Sequence, residues 1–312
     1  MKVFEFKKNE TLILKGIAIL FVLLDHLEYY LLSGGGGVAL FLLLSGYGIN
    51  QSCENKGMDF FWRKRIINVW LPYVLIGIFD VVVFRVEGVR SVLCTLIGLD
   101  FDLIADKTMW YISFILSWYI LYYIMAMCSK LARNPKVRRG VLIIGLFAVA
   151  PVFYWLYNKG VWHFSSRMNC CVWFFPLGVL MSCLKDIKVN EKLAKLLWFA
   201  VLMVSSAFIL RNYTSGASTA RAFAISAQPI AALRLVNLNG KVSSLLSWLG
   251  KYSYPIYLVE GIFWQTRNGL FWRLEMQAFI DIAFVAVVLL NAVVFWEAYQ
   301  KTISRYLLDK IP

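Results

Sequence analysis

The chain has 312 residues, of which 60% are hydrophobic and 16% are charged, and its formal net charge is +14. Soluble globular domains contain roughly a quarter charged residues, so this composition excludes a soluble domain as the main body of the protein. The basic residues are dispersed between apolar runs instead of forming one stripe, which argues against a nucleic-acid-binding protein. We therefore expect an all-α membrane protein.

Apolar runs near the ~20 residues that a helix needs to cross a bilayer recur along the chain. They are unbroken, as in residues 282–290, and so lack the alternation that is typical of a membrane β-barrel. We expect a single domain over residues 1–312, a bundle of about ten transmembrane helices with no fused soluble domain. The predicted spans are 12–32, 38–50, 66–84, 109–128, 140–157, 169–184, 194–210, 222–238, 243–265 and 277–297.

Lysine and arginine are unevenly divided between the two sides of such a bundle. With ten spans both termini lie on one side, and most of the basic residues fall in the segments on that side. The positive-inside rule therefore predicts that both termini are cytoplasmic.

Four consecutive glycines, residues 34–37, stand between the first two predicted spans. Because glycine is conformationally permissive, this run predicts a flexible outer connection. The span that follows is short, which favours a re-entrant or tilted helix.

The first predicted span contains Asp25, His26 and Glu28. Ionisable groups inside a membrane are costly and usually face the bundle interior or an aqueous cavity, and histidine suits general-base chemistry near neutral pH. His26 is therefore a candidate base. Alternatively, the span ends near residue 24 and all three groups lie at the outer interface.

Lys15 lies eleven residues before His26. In a helix the two differ by ~1100°, about 20° from full turns, and lie ~16 Å apart along the axis, so they share a face. A cation at the cytoplasmic end of this face and a base deeper along it suit a long anionic ligand such as coenzyme A. Alternatively, Lys15 is a snorkelling anchor at the membrane interface.

The basic cluster Arg63, Lys64 and Arg65 precedes the third predicted span. It is either the flanking charge expected of a cytoplasmic segment or a phosphate-binding clamp.

Glu260 lies in the ninth predicted span, about 13 Å beyond Lys251 if the segment is helical, and so near the depth of His26. A carboxylate there needs a partner or a raised pKa. It would orient His26, relay its proton, or neutralise a buried cation such as Arg234. Trp110 and Tyr111 favour membrane-interface or packing roles over a sugar platform.

Five segments together resemble the acyltransferase-3 family of bacterial membrane acyltransferases. KGIAIL at 15–20 followed by His26 resembles its first-helix pattern, and GVALFLLLSGY at 37–47 is similar to its second-helix motif, GVxxFFxLSGY. Residues 60–73 resemble the stretch with an RxxR pair before a proline, residues 110–111 the WY motif, and residues 250–258 the GxxSYxxYL segment.

The resemblance implies ten helices with both termini inside, a catalytic His26, and transfer of acyl groups, commonly acetyl, to surface or lipid-linked glycans at the bacterial cytoplasmic membrane. Three positions depart from the family pattern. Lys15 replaces the usual arginine, Asn68 replaces the second arginine of the RxxR pair, and Glu260 replaces a common histidine. These changes bear on donor affinity and on the proton chemistry of the pocket.

We therefore expect an O-acyltransferase that uses acyl-CoA, in particular acetyl-CoA, as co-substrate, with no tightly bound cofactor and no metal. Its other partners are a glycan or lipid-linked glycan acceptor and membrane lipids, and it binds no nucleic acid. The expected catalytic residues are His26, Glu260 and Asp25; the residues expected to bind the acyl-CoA co-substrate are Lys15, Arg63, Arg65 and Asn68; the substrate-binding residues are Ser45, Tyr47, Trp110 and Tyr111.

Two other interpretations remain open at this point. In one, the protein is a proton-coupled transporter or exporter of a glycan or lipid intermediate, with His26 and Glu260 as the proton-coupling pair. In the other, it is a catalytically silent relative. For the enzyme, the sequence leaves open whether the acyl group passes directly to the acceptor or through an acyl-histidine intermediate.

Overall fold

The computed structural model describes residues 2–27, 34–98, 102–159, 166–212, 218–270 and 277–309. Within these ranges there is no β-strand, only an isolated antiparallel bridge between Lys2 and Lys188, so the all-α prediction is confirmed for them. The α-helices are α1 Lys8–His26, α2 Gly34–Lys56, α3 Phe61–Arg65, α4 Leu71–Val83, α5 Val89–Ile97, α6 Trp110–Ser129, α7 Pro135–Asn158, α8 Ser166–Cys171, α9 Phe174–Cys183, α10 Glu191–Arg211, α11 Thr219–Leu235, α12 Gly240–Leu270, α13 Gln277–Tyr299 and α14 Arg305–Asp309.

Three short segments have helical turns that are tighter or wider than those of an α-helix. Ile66–Trp70 and Gln300–Ser304 are π-helical turns, which connect α3 to α4 and α13 to α14. Lys107–Met109 is a 3₁₀ turn that leads into α6.

Five helical segments of the described chain are long and apolar enough to cross a membrane. Each of the ten predicted spans overlaps a helix. The number of crossings and the cytoplasmic position of the termini stay predictions. The five segments are Phe61–Val83, Lys107–Ser129, Pro135–Leu156, Glu191–Arg211 and Ala278–Leu307.

The chain forms two compact units, the first from residues 1–57 and 114–251 and the second from residues 58–113 and 252–312. In the first unit, α2 packs against α1, α9 and α11. Two glycines allow α2 and α9 to approach closely, since a Cβ on Gly46 would overlap the carbonyl oxygen of Phe175 and one on Gly178 would overlap that of Leu43. Small residues serve the same purpose in many membrane helix pairs.

The glycine run at 34–37 was predicted to be a flexible connection, and this prediction is wrong. These residues form the first turn of α2, which is therefore longer than the short span predicted. A Cβ on Gly37 would lie 2.5 Å from the carbonyl oxygen of Ala18, and one on Gly36 would overlap the side chain of Ile225. The glycines are used for close helix packing, which sequence composition does not distinguish from flexibility.

In the second unit, tyrosines from two helices hold the π-helical turn Ile66–Trp70. The hydroxyl of Tyr254 donates to the carbonyl oxygen of Val69 at 2.5 Å, and that of Tyr299 donates to the carbonyl of Ile67. A π turn disturbs the regular helical hydrogen bonding, so these side chains satisfy carbonyl groups near the disturbance.

Candidate functional site

Lys15 and His26 lie on one uninterrupted helix, α1, as their predicted shared face requires. His26 is its last residue, and both side chains are half-buried. The start of α1 is capped, because Glu10 Oε2 accepts a hydrogen bond of 2.9 Å from the backbone N–H of Lys7. Residues 28–32 of the first predicted span, including Glu28, lie outside the described residues.

Lys15 forms no hydrogen bond or ion pair with any other described residue. Its neighbour Gly16 packs directly on the start of α12, since a Cβ there would overlap the carbonyl oxygen of Leu246. The reciprocal contact places Gly250 against the carbonyl oxygen of Leu12. The lysine is thus carried on a closely packed helix with its positive charge uncompensated by the described chain.

Arg234, on α11, differs from Lys15 because its positive charge is paired with a carboxylate. Its Nη1 lies 3.1 Å from Glu10 Oε1, its Nη2 donates to the carbonyl of Glu5, and its guanidinium carbon is 5.1 Å from the ring centre of Phe6. The sequence left open that Glu260 neutralises Arg234. Arg234 has its carboxylate in Glu10, so this role for Glu260 is not needed.

Ser45 and Tyr47, both predicted to bind substrate, lie on α2. Ser45 is half-buried, whereas Tyr47 is buried and its hydroxyl accepts a 3.0 Å hydrogen bond from the backbone N–H of Phe6. The aromatic rings of Phe6 and Tyr47 meet edge to face, with their centres 5.0 Å apart. Tyr47 therefore anchors the N-terminal segment, and a substrate-binding role for either residue stays a prediction.

The predicted phosphate clamp lies in the second unit, on α3 and the π turn after it. Arg63 donates to the carbonyl oxygen of Leu307 at 2.5 Å, and the guanidinium carbon of Arg65 is 4.5 Å from the ring centre of Phe61. Asn68 is half-buried in the π turn. Both arginines are thus engaged with their own unit, and donor binding by this cluster stays a prediction.

Trp110, Tyr111 and Glu260 are each buried in the second unit. Tyr257, one turn before Glu260 on α12, donates a 2.5 Å hydrogen bond to the carbonyl oxygen of Thr108 and accepts one of 3.2 Å from the backbone N–H of Tyr111. The N–H groups in the first turn of a helix lack partners within it, so Tyr257 caps α6. Two of the segments quoted above, 110–111 and 250–258, are joined by this contact.

The burial of Trp110 and Tyr111 distinguishes between a membrane-interface role and a packing role for these two side chains. Trp110 and Tyr111 are buried, so their structural role is interior packing and not a membrane-interface belt. Glu260 is 0% exposed. Its approach to His26 stays a prediction, as does a sugar-binding role for the aromatic pair.

A family model described as an acyltransferase domain matches residues 13–297, which include Lys15, His26 and Glu260. The chain belongs to the acyltransferase-3 family. Comparison with curated proteins and with solved structures gave no match. Family membership and the five long apolar helices together indicate a membrane acyltransferase.

Two buried acidic residues of this acyltransferase, Asp80 and Asp106, were not predicted from the sequence. Asp80 lies on α4, is 0% exposed, and neither of its carboxylate oxygens has a hydrogen-bond partner in the described chain. Asp106 is 1% exposed and caps the 3₁₀ turn, where its Oδ1 accepts two 2.8 Å hydrogen bonds from Thr108. A single acid within the apolar span 66–84 was the available signal, because intramembrane carboxylates mark functional sites.

Proposed function

We propose that this protein is an O-acyltransferase of the bacterial cytoplasmic membrane that moves an acyl group, in particular acetyl, from cytoplasmic acyl-CoA to a hydroxyl of an exported or lipid-linked glycan. The observation that carries the proposal is Lys15. In a member of an acyltransferase family, it presents a positive charge on α1 that no described residue neutralises.

An uncompensated cation of this kind favours an anionic ligand. Coenzyme A carries phosphates at one end and the reactive sulfur at the other, and a lysine ammonium binds phosphate as a point charge. His26 lies ~16 Å further along the same helix face, a separation suited to a donor that extends along α1. Lys15 meets the phosphates, and the thioester approaches His26.

In the direct mechanism, His26 acts as general base. It accepts the proton of the acceptor hydroxyl while the hydroxyl oxygen attacks the thioester carbonyl. The carbon–sulfur bond then breaks, and the imidazolium returns the proton to the departing thiolate, so the products are the acyl ester and free CoA. In the alternative mechanism, a histidine nitrogen attacks the thioester carbonyl, the carbon–sulfur bond breaks, and CoA leaves as the thiol with the imidazole proton. The acceptor hydroxyl then attacks the acyl-histidine, which yields the acyl ester and returns the proton to the free histidine.

The test uses purified full-length protein in detergent with labelled acetyl-CoA. We expect slow hydrolysis of the thioester alone, faster turnover when a glycan acceptor is added, and turnover lowered by roughly 10²–10⁴-fold with His26→Ala. Lys8→Ala, an exposed lysine at the start of the same helix, is the matched control and should retain turnover.

Two outcomes contradict the proposal. Uptake of a lipid-linked glycan into vesicles driven by an acid gradient, with no thioester turnover, would identify a proton-coupled exporter. Absence of both turnover and CoA binding would identify a catalytically silent relative.

A further inference from the structure

Helix α5, Val89–Ile97, carries apolar residues on the side that faces away from the protein. Val89, Leu93 and Ile97 are 78%, 50% and 43% exposed. Because they recur every four residues, they form one stripe along the helix. The packed side of α5 carries the hydroxyl residue Thr95, which is 2% exposed. A helix at a water-facing surface has the reverse pattern, so the stripe indicates contact with a membrane or with another protein.

The contacts between α4 and α5 show how α5 is oriented. A short connection, residues 84–88, joins the two helices, and they pack against each other. A Cβ on Gly77 would lie 3.3 Å from the carbonyl oxygen of Thr95, so the two backbones are close there. Gly77 lies ~9 Å before Val83, the last residue of α4, along the helix axis. Helix α5 therefore turns back beside α4.

The position of α4 then fixes the surroundings of α5. Helix α4 belongs to Phe61–Val83, one of the segments that are long and apolar enough to cross a membrane. Its outward side chains Ile78 and Val82 are exposed, as lipid-facing residues are. Since α5 lies beside the last turns of this segment, a membrane that contains these turns also contains α5, with Thr95 deeper than Val89.

The charged residues near α5 are distributed as such a position requires. Arg85 and Glu87 lie in the connection and Arg90 lies in the first turn of α5, and all three are exposed. From Ser91 to Gly98 the chain contains no lysine, arginine, aspartate or glutamate. Charged groups are costly in the hydrocarbon but not at the headgroup level. Contact with a protein would not confine charge to one end of the helix, so this distribution favours lipid.

The Ile97 end of α5 is closed by hydrogen bonds from the protein. The last carbonyl groups of a helix lack partners within it, and inside a membrane no water satisfies them. The hydroxyl of Tyr73 donates to the carbonyl oxygen of Thr95 at 2.5 Å, and that of Ser113 donates to the carbonyl of Gly98. Gly98 ends the helix in the left-handed conformation, with φ of 78°. A helix end at the surface would use water, so this closure supports an end inside the membrane.

We propose that α5 is a half-helix that re-enters the membrane beside α4 and presents Val89, Leu93 and Ile97 to lipid acyl chains. Its Val89 end lies near the headgroups and its Ile97 end lies within the hydrocarbon. Irregular backbone at this depth is tolerated only where protein or a water-filled cavity surrounds it. The segment at residues 102–106 meets this condition, because the backbone N–H of Ala105 donates to Thr95 Oγ1 at 3.1 Å.

The test measures the depth of the two ends of α5 in full-length protein in lipid nanodiscs. A fluorescent amino acid replaces Val89 in one variant and Ile97 in another, and the nanodiscs contain phospholipids with a nitroxide quencher either near the headgroup or near the end of an acyl chain. We expect the shallow quencher to reduce the fluorescence more at Val89 and the deep quencher to reduce it more at Ile97. The same amino acid at Ile78, exposed on α4, is the matched reference for a lipid-facing site.

Two results of this experiment overturn the proposal. If both positions are quenched more by the shallow nitroxide, α5 lies flat on the membrane surface. If neither position is quenched while Ile78 is, protein covers the stripe, as a second copy of the chain would.

Photocrosslinking of the wild type tests the proposal even if the fluorescent variants fail to fold. The protein is illuminated in nanodiscs that contain a phospholipid with a diazirine in the middle of one acyl chain, and is then cleaved after lysine and arginine. We expect label on the peptide 91–107, at Leu93 or Ile97. Label on α4 without label on this peptide overturns the proposal. Neither readout uses acyl transfer, so this result is independent of the proposed enzymatic activity.

Discussion

Lys15 on α1 and Asp80 on α4 are both ionisable side chains without an opposite charge among the described residues, but their surroundings differ. Lys15 as a whole residue is half-buried. Asp80 is sealed, with 0% of its side chain exposed. The comparison teaches that two side chains lacking an opposite charge can differ in access: Lys15 keeps some contact with its surroundings, as the proposed phosphate contact requires, whereas Asp80 keeps none.

The largest expected effect concerns the lysine side of this comparison. His26→Ala should lower the rate of acyl transfer by roughly 10²–10⁴-fold, because a general base typically contributes this much. A covalent role would make the loss larger. The rate is measured with labelled acetyl-CoA and acceptor, alongside the thermal midpoint. If His26→Ala transfers acyl groups at the wild-type rate, His26 is not catalytic. The proposed donor-binding role of Lys15 then loses its support as well.

Lys15→Ala should raise the KM for acyl-CoA by about tenfold or more, since a hydrogen bond to a charged group contributes roughly 1.5–3 kcal/mol. KM should also depend less on salt, because there is less attraction left to screen. Lys15→Arg, which restores the usual family residue, should retain much of the affinity. Kinetics at several salt concentrations check this, with Lys8→Ala as control, and an unchanged KM would make Lys15 a membrane anchor.

The compensated cation Arg234 should behave differently from Lys15. Glu10→Gln removes the carboxylate 3.1 Å from Arg234 while keeping the side-chain shape. It should destabilise the protein by about 1–3 kcal/mol, because a partly buried charge loses its partner. Thermal unfolding measures this loss, and the KM for acyl-CoA should not change. A raised KM with full stability would place Arg234 and Glu10 in the donor site.

The smallest effect is expected at a solvent-exposed pair, Lys2 and Asp186, whose side chains are 35% and 70% exposed. The Lys2 ammonium donates to Asp186 Oδ1 at 2.7 Å, and this hydrogen bond lowers the pKa of Asp186. Its contribution to stability is present above the ordinary aspartate pKa and is lost as pH falls through the lowered value. Lys2→Ala should return the pKa of Asp186 toward its ordinary range in an NMR titration.

Because both side chains are solvated, the thermal midpoint of Lys2→Ala should stay unchanged. A clear fall in the midpoint near neutral pH would show that exposure is a poor guide to what these charges contribute.

The helices were the most predictable part of the molecule. A bilayer requires apolar segments of about 20 residues, and this requirement is visible in the sequence without any knowledge of tertiary contacts. The shared face of Lys15 and His26 was equally predictable, since helical geometry alone fixes it once α1 is continuous.

The glycines and the tyrosines were less predictable because their roles depend on distant partners. Gly36 and Gly37 are used by α1 and α11, which are contacts that a run of glycines does not specify. Tyr257 caps α6 across 146 residues of sequence separation. Asp80 was overlooked for another reason, because one acid scarcely changes the average hydropathy of a long apolar run.

The contact between Gly16 and Gly250 limits how α1 can move. Neither position has room for a single methyl group, since a Cβ at each would overlap a carbonyl oxygen of the opposite helix. A helix gripped in this way resists twisting about its own axis, and it cannot slide without forcing the backbones apart. Adjustment to a ligand then falls to the flexible four-carbon side chain of Lys15, while α1 itself stays in place.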